Sequence, residues 1–142
     1  MQPIKIREAT KNDCPAMLDL IKELALYEKA PSEVTVSLET FENAGFGINP
    51  IFKAWVVELE QNMIGLALTY IRYSTWKGPQ LFLEDLVVSE KYRNLKIGKK
   101  LFETVLEYAK VKNYTNYIYI IDFYLVNIPF ILNNLLDLNI SI

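Results

Sequence analysis

The stretch from Leu83 to Leu101, LEDLVVSEKYRNLKIGKKL, carries the side chains best placed for chemistry. It opens with two adjacent acids, Glu84 and Asp85, inside an apolar run of strand character. It closes in a cationic loop: between positions 91 and 100 stand five bases, Lys91, Arg93, Lys96, Lys99 and Lys100, and no acid. That loop leads directly into a helix, whose first N–H groups lack intrahelical partners and whose dipole favours an anion. Amides and cations together would suit a diphosphate; a solvated, lysine-rich helix start would have the same composition. The acids would attract a cation. A primary amine, with a pKa near ~10.4, is such a cation at neutral pH, and a carboxylate could take its proton directly or through water. Glu84 and Asp85 are neighbours on a strand, so their side chains are expected on opposite faces, with only one in a given pocket.

What is missing narrows the chemistry further. The 142 residues contain no histidine, which removes Ser-His-Asp and Cys-His catalysis and His-ligated zinc, and no metal site is expected. Cys14 is the only cysteine, so there is no disulfide framework, and a reducing cytoplasmic setting fits. At a helix start it could be activated by the dipole, but no base accompanies it and a structural role is expected. With 15 basic and 17 acidic residues the formal charge is −2, unlike the basic excess of a nucleic-acid surface. The opening MQPIKIREATKND is too polar for a secretory signal. Tyr117 to Leu132 is apolar but broken by Asp122, Asn127 and Pro129, short of the ~20 residues a membrane span needs. No membrane or nucleic-acid partner is expected.

The elements that must position these residues follow from periodicity. Residues 3–8 alternate as a first strand. Thr10 or Asp13 can cap a helix running to about Tyr27, with Met17, Leu20, Ile21 and Leu24 on one face. A short helix over Ser37–Asn43 is expected to end at Gly45. Phe52–Glu58 and Met63–Tyr73 read as a hairpin across Glu60-Gln61-Asn62, and Gln80–Val88 as the next strand, after a turn in which Trp76 reads as a packing anchor. A long helix presenting Ile97, Leu101, Phe102, Val105, Leu106 and Ala109 leads to a buried strand, Tyr117–Asp122. The order β-α-α-β-β-β-α-β describes one α/β domain over 1–142, a mixed α+β sheet whose fourth and fifth strands run parallel across a helix.

This order, the strand LEDLVV and the loop YRNLKIGKKL resemble the GNAT acetyltransferases, whose Arg/Gln-x-x-Gly-x-Gly/Ala motif aligns with Arg93-Asn94-Leu95-Lys96-Ile97-Gly98. The segments IREATKNDCPAMLDLIKELALYE, GFG, YSTWKG and LFLEDLVV resemble, more narrowly, the spermidine/spermine and thialysine N-acetyltransferase branch. The resemblance spans residues 3 to about 122. It implies acetyl-CoA as co-substrate and a homodimer. Leu86, Val87 and Val88 would present backbone to the pantetheine arm, and Arg93, Asn94, Leu95, Lys96, Ile97, Gly98 and Lys99 would form the pyrophosphate loop. Tyr27, Glu28 and Glu84 would line the amine pocket with Asp85 beside them, and Tyr117, Ile118 and Tyr119 would flank the substrate. Of the two acids the family pattern favours Glu84, a candidate base acting through water. Read from the residues alone, Tyr27 and Glu28 simply end a helix. The amine would attack the thioester directly, with an N–H near Val87 stabilising the oxyanion.

The chain departs from the pattern twice. Lys96 stands where the motif has its inner glycine, a position usually kept for unusual backbone angles or close approach, so weaker cofactor binding is expected. The family also continues its fifth strand with a segment like D-W-N-x-x-A-x-x-F-Y, whose tyrosine protonates the leaving thiolate. Here Asp122 and Phe130 match, Phe123 and Tyr124 replace Trp and Asn, and Ile131 replaces the tyrosine, leaving Tyr124 as the nearest substitute acid. The fold is therefore expected to be incomplete after about residue 122, its last strands missing through a frameshift or early stop, with an apolar edge that a homodimer would cover. The expected function is acetyl transfer from acetyl-CoA to a primary amine of a polyamine, diamine or thialysine-like substrate. The alternative is a catalytically impaired remnant that binds CoA or a partner subunit.

Overall fold

The computed structural model describes residues 3–114 and the backbone of 118–120. Five strands form one sheet in the order β1-β2-β3-β4-β5: β1 (Lys5–Glu8), β2 (Lys53–Leu59), β3 (Asn62–Ser74), β4 (Gly78–Val88) and β5 (Ile118–Ile120). β1 to β4 pair antiparallel, and β5 lies parallel to β4 after the crossover helix α3 (Ile97–Val111). The expected mixed α/β order is the observed one. The β2–β3 link is tighter than the three-residue connection read from the sequence. Glu60 and Gln61 take φ of 49° and 67° and Asn62 already belongs to β3; left-handed backbone at both central positions matches the right-handed twist of the paired strands.

The sheet is covered on both faces. Helix α1 (Cys14–Tyr27) and helix α2 (Leu38–Phe46) cover one, where Met17, Leu20, Leu24 and Phe41 pack on Ala54, Val56, Leu66, Leu68 and Val87. The other is covered by α3, whose Ile97, Leu101, Phe102, Val105, Leu106 and Ala109 meet Val57, Ile64, Leu81, Leu83, Leu86 and Val88. Burying each such leucine or phenylalanine contributes about 1.5–3 kcal/mol, and this sandwich holds the sheet flat against its helices.

Capping fixes where the helices begin and end. Ser37 Oγ accepts the Thr40 N–H at the start of α2. Gly45, expected to end that helix, lies inside it, because the Phe52 ring occupies the space a side chain there would need. Helix α1 ends with Lys29 in the left-handed region at φ 60°, Ala30 N–H donating to Ala25 C=O and Lys29 N–H to Leu26 C=O. This paired C-terminal bonding stops the helix just after Tyr27. At its other end, Arg7 forks onto Asp13 at 2.7 and 2.8 Å and reaches Glu58 at 2.6 Å, tying β1, the start of α1 and β2 together.

Candidate active site

The two acids of β4 sit on a β-bulge. Leu68 pairs with Asp85 and Thr69 with Leu83, so Glu84 is an extra residue with no partner of its own on β3. A bulge resets the alternation of a strand. Leu81 and Leu83 face α3 before it, while Leu86 and Val88 face α3 after it. The residues between therefore share the opposite face, with Leu68 and Val87, under α1 and α2. This corrects the expectation that Glu84 and Asp85 point apart: the extra residue brings both carboxylates to one side. Glu84 is exposed and Asp85 half-buried. The charge of Glu84 is also felt by Tyr70, whose phenol is pushed up first by burial and then by that carboxylate.

Beyond the bulge, β4 presents open backbone. Ser89 N–H donates to Ile64 C=O, which sets the phase of the β3–β4 ladder. Val87 then exchanges bonds with Leu66, and the N–H and C=O of Leu86 and Val88 point to the β5 side. Pairing with β5 covers only Leu81, Phe82 and Leu83. Among the described residues, the backbone of Leu86 and Val88 meets nothing on that side except Arg93, whose Nε donates to Val88 C=O at 3.1 Å. Val87 N–H belongs to the β3 ladder, and the open backbone groups at this end of β4 are those of Leu86 and Val88.

The cationic loop follows at once. A single 3₁₀ turn, Glu90–Tyr92, is succeeded by extended Arg93, then Asn94 at φ 68° and Lys96 at φ 61°, both left-handed, and α3 starts at Ile97. Lys96 thus adopts the conformation for which glycine is usually reserved. Left-handed Asn94 and Lys96 flank Leu95, the kind of alternating backbone that builds anion-binding concavities. Among the described residues, the N–H groups of Asn94, Leu95, Lys96, Ile97 and Gly98 have no protein acceptor, and no side chain caps α3. Five unpaired amides, a helix N-terminus and the lysines around them match a linked phosphate pair.

Residues 15–130 match the acetyltransferase (GNAT) family. The chain belongs to the GNAT acetyltransferases. It is 40% identical over 117 residues to thialysine N-epsilon-acetyltransferase of Sus scrofa, covering 77% of this chain and 69% of that protein. It is 33% identical over 116 residues to spermidine/spermine N(1)-acetyltransferase-like protein 1 of Homo sapiens, covering 77% of this chain and 17% of that one. The solved aminoglycoside N-acetyltransferase AAC(6')-Iy in complex with CoA superposes with a TM-score of 0.68 at 16% identity, covering 99% of this chain and 89% of that one, and so shares its fold.

Within this GNAT fold the expected site residues fall into two groups. Leu86, Val87 and Val88 end β4, and the residues from Asn94 to Lys99 lead into and open α3. Tyr27 and Glu28 sit at the exposed C-terminal end of α1, on the same face of the sheet as Glu84 and Asp85. Tyr27 meets Arg93: the guanidinium lies 5.0 Å from its ring centre. The backbones of Ile118 and Tyr119 pair with Leu81 and Phe82, while Tyr117, Tyr124 and Ile131 lie outside the described residues.

Two expectations about bystanders separate. Cys14 is fully buried in the α1 core, and its thiol is pushed up to about 11, chiefly by burial, which suits a structural role. Trp76 is 93% exposed and anchors nothing among the described residues, because it lies at the tip of a hairpin arm that extends past Lys53, where β2 begins. The sequence reading missed Tyr70; its one signal was its place opposite Phe82 on a strand pair next to the acids. Tyr70 stacks on Phe82 at 4.9 Å and also lines a cavity of about 630 Å³ together with Phe46, Ile51, Phe52 and Thr69. None of Tyr27, Glu28, Glu84 or Asp85 lines that cavity, so it is separate from the acidic surface.

Proposed function

We propose that this chain transfers the acetyl group of acetyl-CoA to a primary amine of a small cationic substrate, a polyamine, diamine or thialysine-like compound. The observation that carries the proposal is the run of unpaired amides from Asn94 to Gly98, set beside the open β4 edge and one bulge away from two carboxylates. The relatives named for thialysine and spermidine/spermine support the choice of acceptor.

The loop fits the cofactor's diphosphate: amides without acceptors, left-handed residues at the turn and exposed lysines are what such a group uses. Bound there, acetyl-CoA supplies an activated acyl carbon and a thiolate as leaving group. Leu86 and Val88 would hold the extended arm through strand-like backbone bonds. Glu84 and Asp85 attract the ammonium form of the acceptor and orient it. Glu84, the more exposed of the two, can receive the amine's proton through water, which makes histidine unnecessary. Tyr27 and Glu28 border the same face from α1. The proposal extends to a cytoplasmic homodimer, with the buried, unpaired Cys14 consistent with a reducing setting.

A thiol-release assay with acetyl-CoA and spermidine, spermine, putrescine and thialysine tests it. Turnover above background with at least one amine is expected. CoA binding without turnover on any of them overturns the enzymatic reading and favours the impaired remnant. Failure to bind CoA overturns the enzymatic reading and leaves only a remnant that binds a partner subunit.

A further inference from the structure

Arg93 opens the loop motif, yet its side chain is turned away from the amide cup. Its Nε donates to Val88 C=O at 3.1 Å, its guanidinium lies 5.0 Å from the centre of the Tyr27 ring, and its NH2 group sits 3.9 Å from Glu23 Oε1. That same Glu23 oxygen accepts the Glu90 N–H at 2.8 Å, across 67 positions of sequence. One carboxylate of α1 thus grips the first residue of the turn, and one arginine of the loop grips the end of β4 and the last residue of α1. Arg93 is only 20% exposed in its side chain and Glu23 33%, so these contacts are partly shielded from water. The geometry points to a clasp. We propose that Arg93 is a positioning residue that fastens the cofactor loop to the C-terminal turn of α1, so that the amide cup and the amine-facing Tyr27–Glu28 end are ordered together.

The physical basis is the loop's own weakness. Two left-handed non-glycine residues, Asn94 and Lys96, and a run of unbonded amides give the cup few internal reasons to hold its shape. Outside contacts must supply them: among the described residues Tyr92 and Ile97 pack on the α3 core, and Arg93 and Glu23 tie the loop to α1. Because Tyr27 is both a partner of Arg93 and a neighbour of Glu28, whatever orders the loop also orders the acid-bearing end of α1. Linkage then requires that each ligand favours the other by the same factor.

The proposal rests on the acetyltransferase reading only in its second half, and the test separates the two. CoA is titrated calorimetrically into the wild type, Arg93→Gln, Tyr27→Leu and the double variant. Tyr27→Leu is expected to weaken CoA binding about three-fold, the scale of one partly exposed cation–π contact. The double variant should be no weaker than Arg93→Gln alone. An unchanged CoA affinity in Tyr27→Leu, or effects that multiply in the double variant, overturns the clasp and makes Arg93 a simple phosphate ligand. Arg93→Lys keeps the charge but loses the planar fork; it should fail to restore binding, and full restoration overturns the proposal. Glu23→Gln, which can still accept the Glu90 N–H, should lose less affinity than Glu23→Ala, and equal losses argue against the grip on the turn. With saturating CoA, Arg93→Gln should also raise the amine KM about three-fold. Should the wild type bind CoA but acetylate none of the amines, the functional proposal fails while the CoA cycle still decides the clasp.

Discussion

Lys96→Gly is the most telling single change in the loop. Lys96 holds φ 61° and ψ 18° as the residue just before α3, a conformation that costs an L-residue about 1–2 kcal/mol. Glycine removes that cost but gains freedom in the unfolded chain, worth about 0.5–1 kcal/mol in the opposite sense. The net is about 0.5–1 kcal/mol of added stability, which for a chain of this size raises Tm by about 1–4 °C. Asn94→Gly is the matched control: its φ is 68°, but asparagine tolerates this region far better, so little gain is expected.

Cofactor affinity should respond differently. The sequence alone suggested that lysine at this position weakens CoA binding. In the structure Lys96 itself adopts the left-handed turn, and strain common to free and bound loops cancels from the binding free energy. At 0.5 M NaCl, where the exposed lysine's charge is screened, the glycine variant should bind CoA within about two-fold of the wild type. At low salt it should bind more weakly, having lost a cation. Thermal melts followed by circular dichroism and CoA titrations at the two salt concentrations check both halves. A Tm that falls, or equal gains from Asn94→Gly and Lys96→Gly, refutes the strain argument. A ten-fold tightening of CoA at high salt would show instead that the lysine obstructs the ligand.

Other expectations follow from the remaining groups. Arg7→Met should lower stability by about 1–2 kcal/mol near neutral pH, taking the forked Arg7–Asp13 pair alone. Arg7 holds the Asp13 carboxyl down to about 2 and lowers Glu58 as well, so this stabilisation is full above the ordinary carboxylate range and fades as pH falls through 2. Denaturant midpoints of the variant and the wild type should therefore converge in strong acid. Glu84→Gln and Asp85→Asn should each lower kcat/KM for the amine by about 10–100-fold, as expected for a lost charge-assisted contact, with CoA affinity unchanged by calorimetry. Cys14 should resist a thiol reagent at pH 8 in the native protein and react fully in denaturant, since it is buried and its pKa stands near 11. Trp76→Ser should change stability by no more than the ~0.5 kcal/mol typical of surface substitutions, judged by thermal melt.

Most of the fold was legible because it is written in short-range periodicity. The inner face of α3, from Ile97 to Ala109, is the buried face observed, and the β2–β3 hairpin and the parallel β4–β5 pair followed from a tight link and one helical crossover. The bulge was missed, although its trace is in the sequence. Leu81 and Leu83 are odd-numbered and Leu86 and Val88 even-numbered, yet all four face the same helix, and that requires one extra residue between them. Reading the acids as ordinary neighbours hid it. The Arg93–Glu23–Tyr27 cluster has no such trace, since contacts across 66 to 70 positions leave no periodic mark. Lys96 lies between these cases: its departure from glycine was visible, but only the backbone angles show that the turn forms regardless.

The extra residue in β4 has a consequence for how acceptor preference can change. Because the strand resets its phase at Glu84 and Asp85, hydrophobic residues on either side keep their seats whatever stands at those positions. Replacing either acid alters the charge offered to a substrate without moving a leucine of the interior. Deleting one would remove the bulge itself: Leu83, Leu86 and Val88 would keep their side under regular alternation, and a single acid would remain on the opposite face. Point substitution is therefore a cheap route to new amine specificity in this chain, and single-residue deletion a route to a regular β4 that offers one acid in place of two.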